Sequence, residues 1–234
     1  MLQKLALPLL SIANLLYPNL CAACEEQPPA SQSVMCCHCN YAMTATNYHQ
    51  MEENPVLERF WGRVQLEHAS TCFAFSKGGR LQHLIHQLKY ESRPDIGIEL
   101  GHIYGTQLKQ SLPYTTVDCI VPVPLHPKKQ AIRGYNQAAV FAQGLAAGME
   151  KPWSEDYLIR TENTTTQTKK SRLDRFTNVQ EAFAVANAPE IQGKHILLVD
   201  DVITTGATLE ACAHKLLAVE GVKVSLAAIA LASS

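Results

Sequence analysis

Residues 196–208 read Ile-Leu-Leu-Val-Asp-Asp-Val-Ile-Thr-Thr-Gly-Ala-Thr. An apolar run delivers two adjacent carboxylates, Asp200 and Asp201, into a small turn in which Thr204, Thr205 and Thr208 surround Gly206 and Ala207. The spacing predicts that a helix opens there. The first backbone N–H groups of a helix have no partner inside it, and the helix dipole favours an anion beside them. Gly206 and Ala207 let a phosphate approach the backbone, and the threonine hydroxyls add donors. The carboxylates repel such a phosphate, so they must face sugar hydroxyls, a magnesium ion, or both. Adjacent residues on a strand point to opposite faces, which lets one acid serve the ligand and the other the protein. The run suits a ligand with a sugar diol and a phosphate, hence a nucleotide-type molecule. The sequence contains neither Gly-x-x-x-x-Gly-Lys-Ser/Thr nor Gly-x-Gly-x-x-Gly, which argues against a P-loop hydrolase and a dinucleotide fold.

A second anion site is predicted upstream. Residues 117–123 read as a buried strand, and Pro122, Pro124 and Pro127 break it into an extended loop. That loop carries Lys128, Lys129 and Arg133, and Asn136 then caps a helix running to about Gly148. Farther on, residues 160–178 lack apolar periodicity and are rich in threonine and basic residues. Lying between two anion loops, this stretch reads as a mobile lid whose Lys169, Lys170, Arg172 and Arg175 close over the ligand and exclude water.

Cysteines form the third constellation. Five of the eight lie between Cys21 and Cys39, and Cys21-x-x-Cys24 is followed by Cys36-x-x-Cys39. Two such knuckles place four thiolates around zinc in a structural site. Cys37 and His38 are additional candidate ligands. A zinc ion there would fold a stretch too small for its own core. Few basic residues flank the cluster, which weakens a nucleic-acid-contacting finger. Cys72, Cys119 and Cys212 sit in apolar surroundings and read as packing residues.

The elements that must position these residues follow from periodicity. Residues 195–199 are apolar without alternation, as in a strand covered on both faces. Leu209, Cys212, Ala213 and Leu216 share one helical face, Gly221 stops the helix, and residues 223–231 form another buried strand. Such a unit predicts a right-handed parallel crossover, with ligands at the carboxyl ends of the strands. Residues 71–75 read as a short strand. Residues 79–90 read as an amphipathic helix with Leu81, Leu84, Ile85 and Leu88 inward. Leu100, Ile103, Tyr104 and Leu108 mark the next helix, and residues 179–185 an edge strand. With 47% hydrophobic and 18% charged residues and a net charge of −1, the composition is that of a soluble globular protein with no global pull towards nucleic acid. Residues 1–20 are apolar but interrupted by Pro8, Asn14, Tyr17, Pro18 and Asn19. Leu5, Leu9, Ile12, Leu15 and Leu16 recur at helical spacing, giving a short amphipathic helix unable to span a bilayer. The expectation is a cytoplasmic protein with a helix and zinc-knuckle module over 1–60 and a larger domain over 61–234.

The 196–208 run resembles the phosphoribosyl pyrophosphate motif of type I phosphoribosyltransferases. Within that superfamily the chain is similar to the ComF (competence protein F, GntX-like) family. Residues 84–90 (Leu-Ile-His-Gln-Leu-Lys-Tyr), 121–127 (Val-Pro-Val-Pro-Leu-His-Pro) and 133–137 (Arg-Gly-Tyr-Asn-Gln) carry the closer match, with Thr166-Gln167-Thr168, Arg172, Arg175 and Asn178. The resemblance implies a parallel sheet with helices on both faces, and magnesium with phosphoribosyl pyrophosphate as ligand. Asp200 and Asp201 would hold the ribose diol and magnesium, and Thr204, Thr205, Gly206, Ala207 and Thr208 the 5′-phosphate. Arg133, Gly134 and Tyr135 would hold the pyrophosphate, with Lys169 and Arg172 in the lid. The amino-terminal segment and zinc knuckle would form the variable hood that sets acceptor specificity. Three functions stay open: transfer of ribosyl phosphate to an acceptor, ligand sensing by an accessory protein that docks on a DNA-uptake helicase or single-stranded DNA, and a DNA-contacting zinc module on an inert fold. Longer ComF members carry further cysteine pairs, and residues 40–55 here hold none.

Overall fold

The computed structural model describes residues 19–31, 33–161 and 182–232. Chain order begins with α1 (Cys37–Ala42), a 3-10 turn (Tyr48–Gln50) and α2 (Pro55–Glu58). Then come β1 (His68–Ala74), α3 (Arg80–Tyr90), α4 (Pro94–Leu108), α5 (Leu112–Thr115) and β2 (Cys119–Pro122). Next are α6 (Pro127–Arg133), α7 (Gln137–Met149), β3 (Leu158–Arg160), β4 (Phe183–Val185) and α8 (Ala188–Ile191). The chain continues through β5 (His195–Ile203), α9 (Ala207–Leu217) and β6 (Lys223–Leu231).

Four strands form one parallel sheet in the order β1-β6-β5-β2. Leu198 of β5 stands between Val121 of β2 and Leu226 of β6, so the most apolar strands lie inside the sheet. On one face Leu197, Val199, Ala227 and Ile229 pack under Leu88 of α3, Leu100 and Tyr104 of α4, and Phe141 and Leu145 of α7. On the other, Ile196, Leu198, Val224 and Leu226 pack against Leu209, Cys212 and Leu216 of α9. Burial on both sides explains why neither β5 nor β6 alternates in sequence. The expected α/β architecture, with helices on both faces, is present.

Three elements depart from their sequence reading. β1 starts at His68 rather than Thr71 because β6 continues to pair with it, from Ser225 opposite His68. The basic segment after β2 is a two-turn helix, α6, and not an extended loop. Pro127 occupies its first turn, where a missing N–H costs nothing, and His126 Nδ1 caps it by accepting from Lys128 N at 3.1 Å. The described part of the expected edge strand, β4, pairs antiparallel with β3 in a separate small sheet. The amino-terminal helix expected over residues 1–20 lies almost wholly outside the described residues. No helix among the described residues is long and apolar enough to cross a membrane.

The closest helix packing brings α4 against α7 through Gly97, Gly101 and Gly105 on one and Gly144 and Gly148 on the other. A Cβ on Gly144 would sit 2.1 Å from the Ile98 carbonyl oxygen, and one on Gly101 2.3 Å from the Phe141 carbonyl oxygen. Backbone meets backbone, so no flexible side chain can yield. Gly144→Ala gains about 1 kcal/mol of helix propensity but forces the helices apart, and overpacking a tight interface costs about 1–3 kcal/mol. The predicted net result is a lower urea midpoint with unchanged slope; a midpoint equal to or above that of the natural chain contradicts this packing.

Candidate functional site

The two loops with chemistry leave adjacent strands. β2 and β5 are paired in parallel, from Cys119 opposite Ile196 to Pro122 opposite Val199, so both chains emerge at the same end of the sheet. From there α7 packs on one face and α9 on the other. This is the topological switch point of an open α/β sheet, where a crevice forms between the carboxyl ends of neighbouring strands. Asp200 and Asp201 belong to the second half of β5, and the Thr204–Gly206 turn leads directly into α9. Gly206 stands at the N-cap position with φ +80°, in the left-handed region, and a Cβ there would also meet the Phe60 ring at 2.9 Å. Glycine is thus required at this position on two counts.

The turn is braced from behind by the segment after α2. Arg59 donates to the Thr204 carbonyl, and Arg63 donates to the Thr205 carbonyl at 3.0 Å. Arg63 also forms an ion pair with buried Glu210 in the first turn of α9, with Nε 3.1 Å from Oε2. These guanidinium groups occupy the carbonyl side of the turn, while on its other side the Ala207 N–H meets Thr205 Oγ1 at 3.4 Å. On the other loop, Arg133 donates to Gln137 Oε1 at 2.7 Å and lies 5.5 Å over the Tyr90 ring. Gly134 caps α6 with φ +82°, and the Tyr135 hydroxyl donates to the Leu88 carbonyl. Asn136 caps α7 as expected, accepting from Ala138 N at 3.1 Å and donating to the Val123 carbonyl at 3.0 Å.

The acidic pair is not symmetric. Asp201 Oδ2 lies 3.0 Å from Lys89 Nζ at the end of α3. The Asp200 carboxyl is pushed up to about 7, by burial first and by the neighbouring Asp201 carboxylate second. The Asp201 N–H donating to its Oδ1 at 2.8 Å only partly offsets this. One acid therefore faces an ammonium, while burial and its neighbour push the other towards its protonated form.

The Sγ atoms of Cys21, Cys24, Cys36 and Cys39 lie within 4.8 Å of one another, with Cys24 and Cys36 4.0 Å apart. Four thiolates at the usual zinc–sulfur length stand about 3.8 Å apart, so the set is of the right kind and size. The Cys36 and Ala23 amides point at Cys21 Sγ, at 3.2 and 3.4 Å. Burial opposes ionisation of Cys21, yet these amides hold its thiol at about 7. Burial and the neighbouring sulfurs push Cys39 far up instead. Cys37 is exposed, and His38 lies 3.4 Å from the Arg80 guanidinium, so both stand apart from the four-sulfur cluster.

The structure thus brings together Asp200, Asp201, Thr204, Thr205, Gly206, Ala207 and Thr208 with the Arg133–Tyr135 loop at one sheet end, and assembles the four cysteines. Lys169, Lys170, Arg172 and Arg175 lie outside the described residues. Sequence reasoning missed Arg59, Arg63 and Phe60, and it took Lys89 only as part of the 84–90 segment, with no role of its own.

With that geometry in view, the comparisons are specific. The family profile for the phosphoribosyl transferase domain matches residues 136–234. The DNA utilization protein YhgH of Escherichia coli K12 is 35% identical over 140 residues, 58% of this chain and 61% of that protein. The chain thus spans about three-fifths of that relative's length. Competence protein F of Haemophilus influenzae is 41% identical over 93 residues, 39% of this chain and 41% of its own. Among solved structures, the glutamine phosphoribosylpyrophosphate amidotransferase of B. subtilis superposes with a TM-score of 0.41 and 20% identity, over 60% of this chain and 30% of that one. The parallel sheet and this profile match agree in placing a phosphoribosyl transferase domain over residues 136–234. The similarity to DNA-utilization and competence proteins agrees with the resemblance to the ComF family.

The acid pair makes a pH prediction. The folded state favours protonated Asp200, so the stability this proton gives is fully present below pH 3.8 and is lost as pH rises through about 7. Asp200→Asn removes that loss. At pH 8 the variant is expected to be more stable than the natural chain by about 1–3 kcal/mol, with the difference vanishing near pH 4. Denaturant unfolding at both pH values checks this, and a less stable Asn variant at pH 8 contradicts it.

Proposed function

We propose that this protein binds phosphoribosyl pyrophosphate with magnesium and transfers its ribosyl phosphate to an acceptor, releasing pyrophosphate. The observation that carries the reading is the parallel pairing of β2 and β5, which sets a phosphate turn with two acids beside a second, basic loop. In this reading the amides and hydroxyls of Thr204, Thr205, Gly206, Ala207 and Thr208 hold the 5′-phosphate. Asp200 and Asp201 accept from the ribose diol, and Asp201 leaves Lys89 to do so. Arg133, Gly134 and Tyr135, with Lys128 and Lys129, face the pyrophosphate, and Lys169 and Arg172 close over it. Magnesium, held through the acid pair and the ligand's own oxygens, would supply neutralisation of the leaving diphosphate. Transfer builds positive charge on the sugar ring and negative charge on that group, so preorganised cations on one side and carboxylates on the other lower the barrier.

Zinc on Cys21, Cys24, Cys36 and Cys39 is structural in this account. The knuckles pack into the same apolar cluster as α3 and α4, with Gln87 donating to the Ala22 carbonyl at 3.0 Å and Glu99 accepting from Ser33 and Val34. We take residues 1–60 as this module and 61–234 as the transferase domain, and the cytoplasm as the compartment that keeps the thiols reduced.

A second reading rests on the relatives' names, which refer to DNA utilization and competence. The domain would sense its ligand and dock on a DNA-uptake helicase or on single-stranded DNA without turnover. Exchange of labelled pyrophosphate into phosphoribosyl pyrophosphate, in the presence of a candidate acceptor base and its ribosyl phosphate product, separates the two. The transferase reading predicts exchange, lowered at least a hundredfold by Asp200→Asn with Asp201→Asn. Tight binding with no exchange or hydrolysis across a panel of bases contradicts it and supports the sensor. For the metal, mass spectrometry of the folded chain is expected to show one zinc. Cys36→Ser should lose it and lower the melting temperature; full-strength folding in excess chelator contradicts a structural zinc.

A further inference from the structure

Three consecutive residues at the end of α3 touch three different parts of the site. The Leu88 carbonyl accepts from the Tyr135 hydroxyl, Lys89 Nζ lies 3.0 Å from Asp201 Oδ2, and the Tyr90 ring lies 5.5 Å from the Arg133 guanidinium. The first and third contacts clamp the last turn of α3 to the basic loop. The second reaches the acid pair on β5. Lys89 therefore stands where the two loops of the site meet. Its side chain is 21% exposed and that of Asp201 12%, so the pair is largely withdrawn from water.

The ion pair occupies the oxygen that a ligand needs. Asp201 Oδ1 already accepts from the Val202 N–H at 2.6 Å, so Oδ2 is the oxygen left for a diol or a cation, and Lys89 holds it. A ligand that takes Oδ2 releases a mostly enclosed ammonium. α3 also brings its carbonyl end to the crevice, and the helix dipole there repels an anion unless a cation offsets it. Lys89 is the basic residue of that last turn. Glu91, the next acid along, lies 3.2 Å from His86 Nδ1. A lysine ammonium is a compact charge on a flexible stem, so it can turn from Asp201 towards an anion at the Arg133 loop without moving the helix.

Given the function proposed above, on which this rests, we infer that Lys89 sets the selectivity of the site for a sugar phosphate that carries a diphosphate. When such a ligand takes Asp201 Oδ2, its diphosphate, seated against Arg133, receives the released ammonium. Ribose 5-phosphate has the same diol and 5′-phosphate but no diphosphate. It also takes Oδ2, yet it leaves Lys89 without a partner, and an unpaired charge in a partly enclosed site weakens its binding. The ion pair of the empty site thus admits the diphosphate-bearing sugar and disfavours the bare sugar phosphate.

Calorimetry with the full chain and excess magnesium tests this, with phosphoribosyl pyrophosphate and ribose 5-phosphate as titrants. The natural chain is expected to prefer the diphosphate ligand. Lys89→Met should shrink the ratio of the two dissociation constants by about tenfold or more, chiefly by weakening phosphoribosyl pyrophosphate. Lys89→Arg should keep most of the preference. A merely damaged site weakens both ligands alike, so an unchanged ratio in Lys89→Met overturns the inference and leaves the proposed ligand standing. If the natural chain does not bind phosphoribosyl pyrophosphate, the proposed function falls and the inference with it. A second variant releases the ammonium without removing it. Asp201→Asn should bind inorganic pyrophosphate, titrated without magnesium, about threefold or more tighter than the natural chain, and the gain should vanish when Lys89→Met is added. No gain, or a gain that persists without Lys89, also overturns the inference.

Discussion

The parallel ladder between β2 and β5 is the constraint on which the site depends. Once Val121 lies opposite Leu198, the chain after each strand must leave at the same sheet end. The apolar face of α7 then belongs on one side of the sheet and that of α9 on the other. A crevice between the two departures follows from that geometry. The pairing is itself fixed by burial, because both strands are apolar throughout the paired region and neither tolerates a solvent-facing side. What the fold decides is position, and what the loops decide is chemistry.

The local chemistry is costly to the fold. Asp200 would be more stable as an amide, Gly206 is held in a left-handed conformation against Phe60, and Glu210 is buried against Arg63. In the proposed function each feature has a use: a carboxyl near 7 exchanges its proton readily, a glycine admits a phosphate to the turn, and the arginines occupy the turn's carbonyls. A merely structural turn would need none of them.

Much of this was legible in the sequence because it is local. The strand, acid pair, threonine turn and helix occupy consecutive residues, and Asn136 reads as a cap from its immediate neighbours. The cysteine pairs are legible through spacing alone. Other features were not, for one physical reason: they join residues distant in the chain. Arg63 and Glu210 are 147 positions apart, and nothing near Arg63 announces its role. Lys89 looks like an ordinary solvated helix end until α3 is laid beside β5. The glycines of α4 and α7 look like weak helix formers until the helices touch. α6 was misread because a proline that ends one element also starts a helix well, and only the His126 cap decides between them.

The central claim is that the asymmetric acid pair at the switch point receives magnesium-phosphoribosyl pyrophosphate. The most direct test is calorimetric titration of that ligand at pH 7 in two buffers of different ionisation enthalpy. The account predicts one site per chain and release of a substantial fraction of a proton on binding, as Asp200 ionises against the incoming cation and diol. Absence of binding at millimolar ligand, or binding with no proton released, would contradict it.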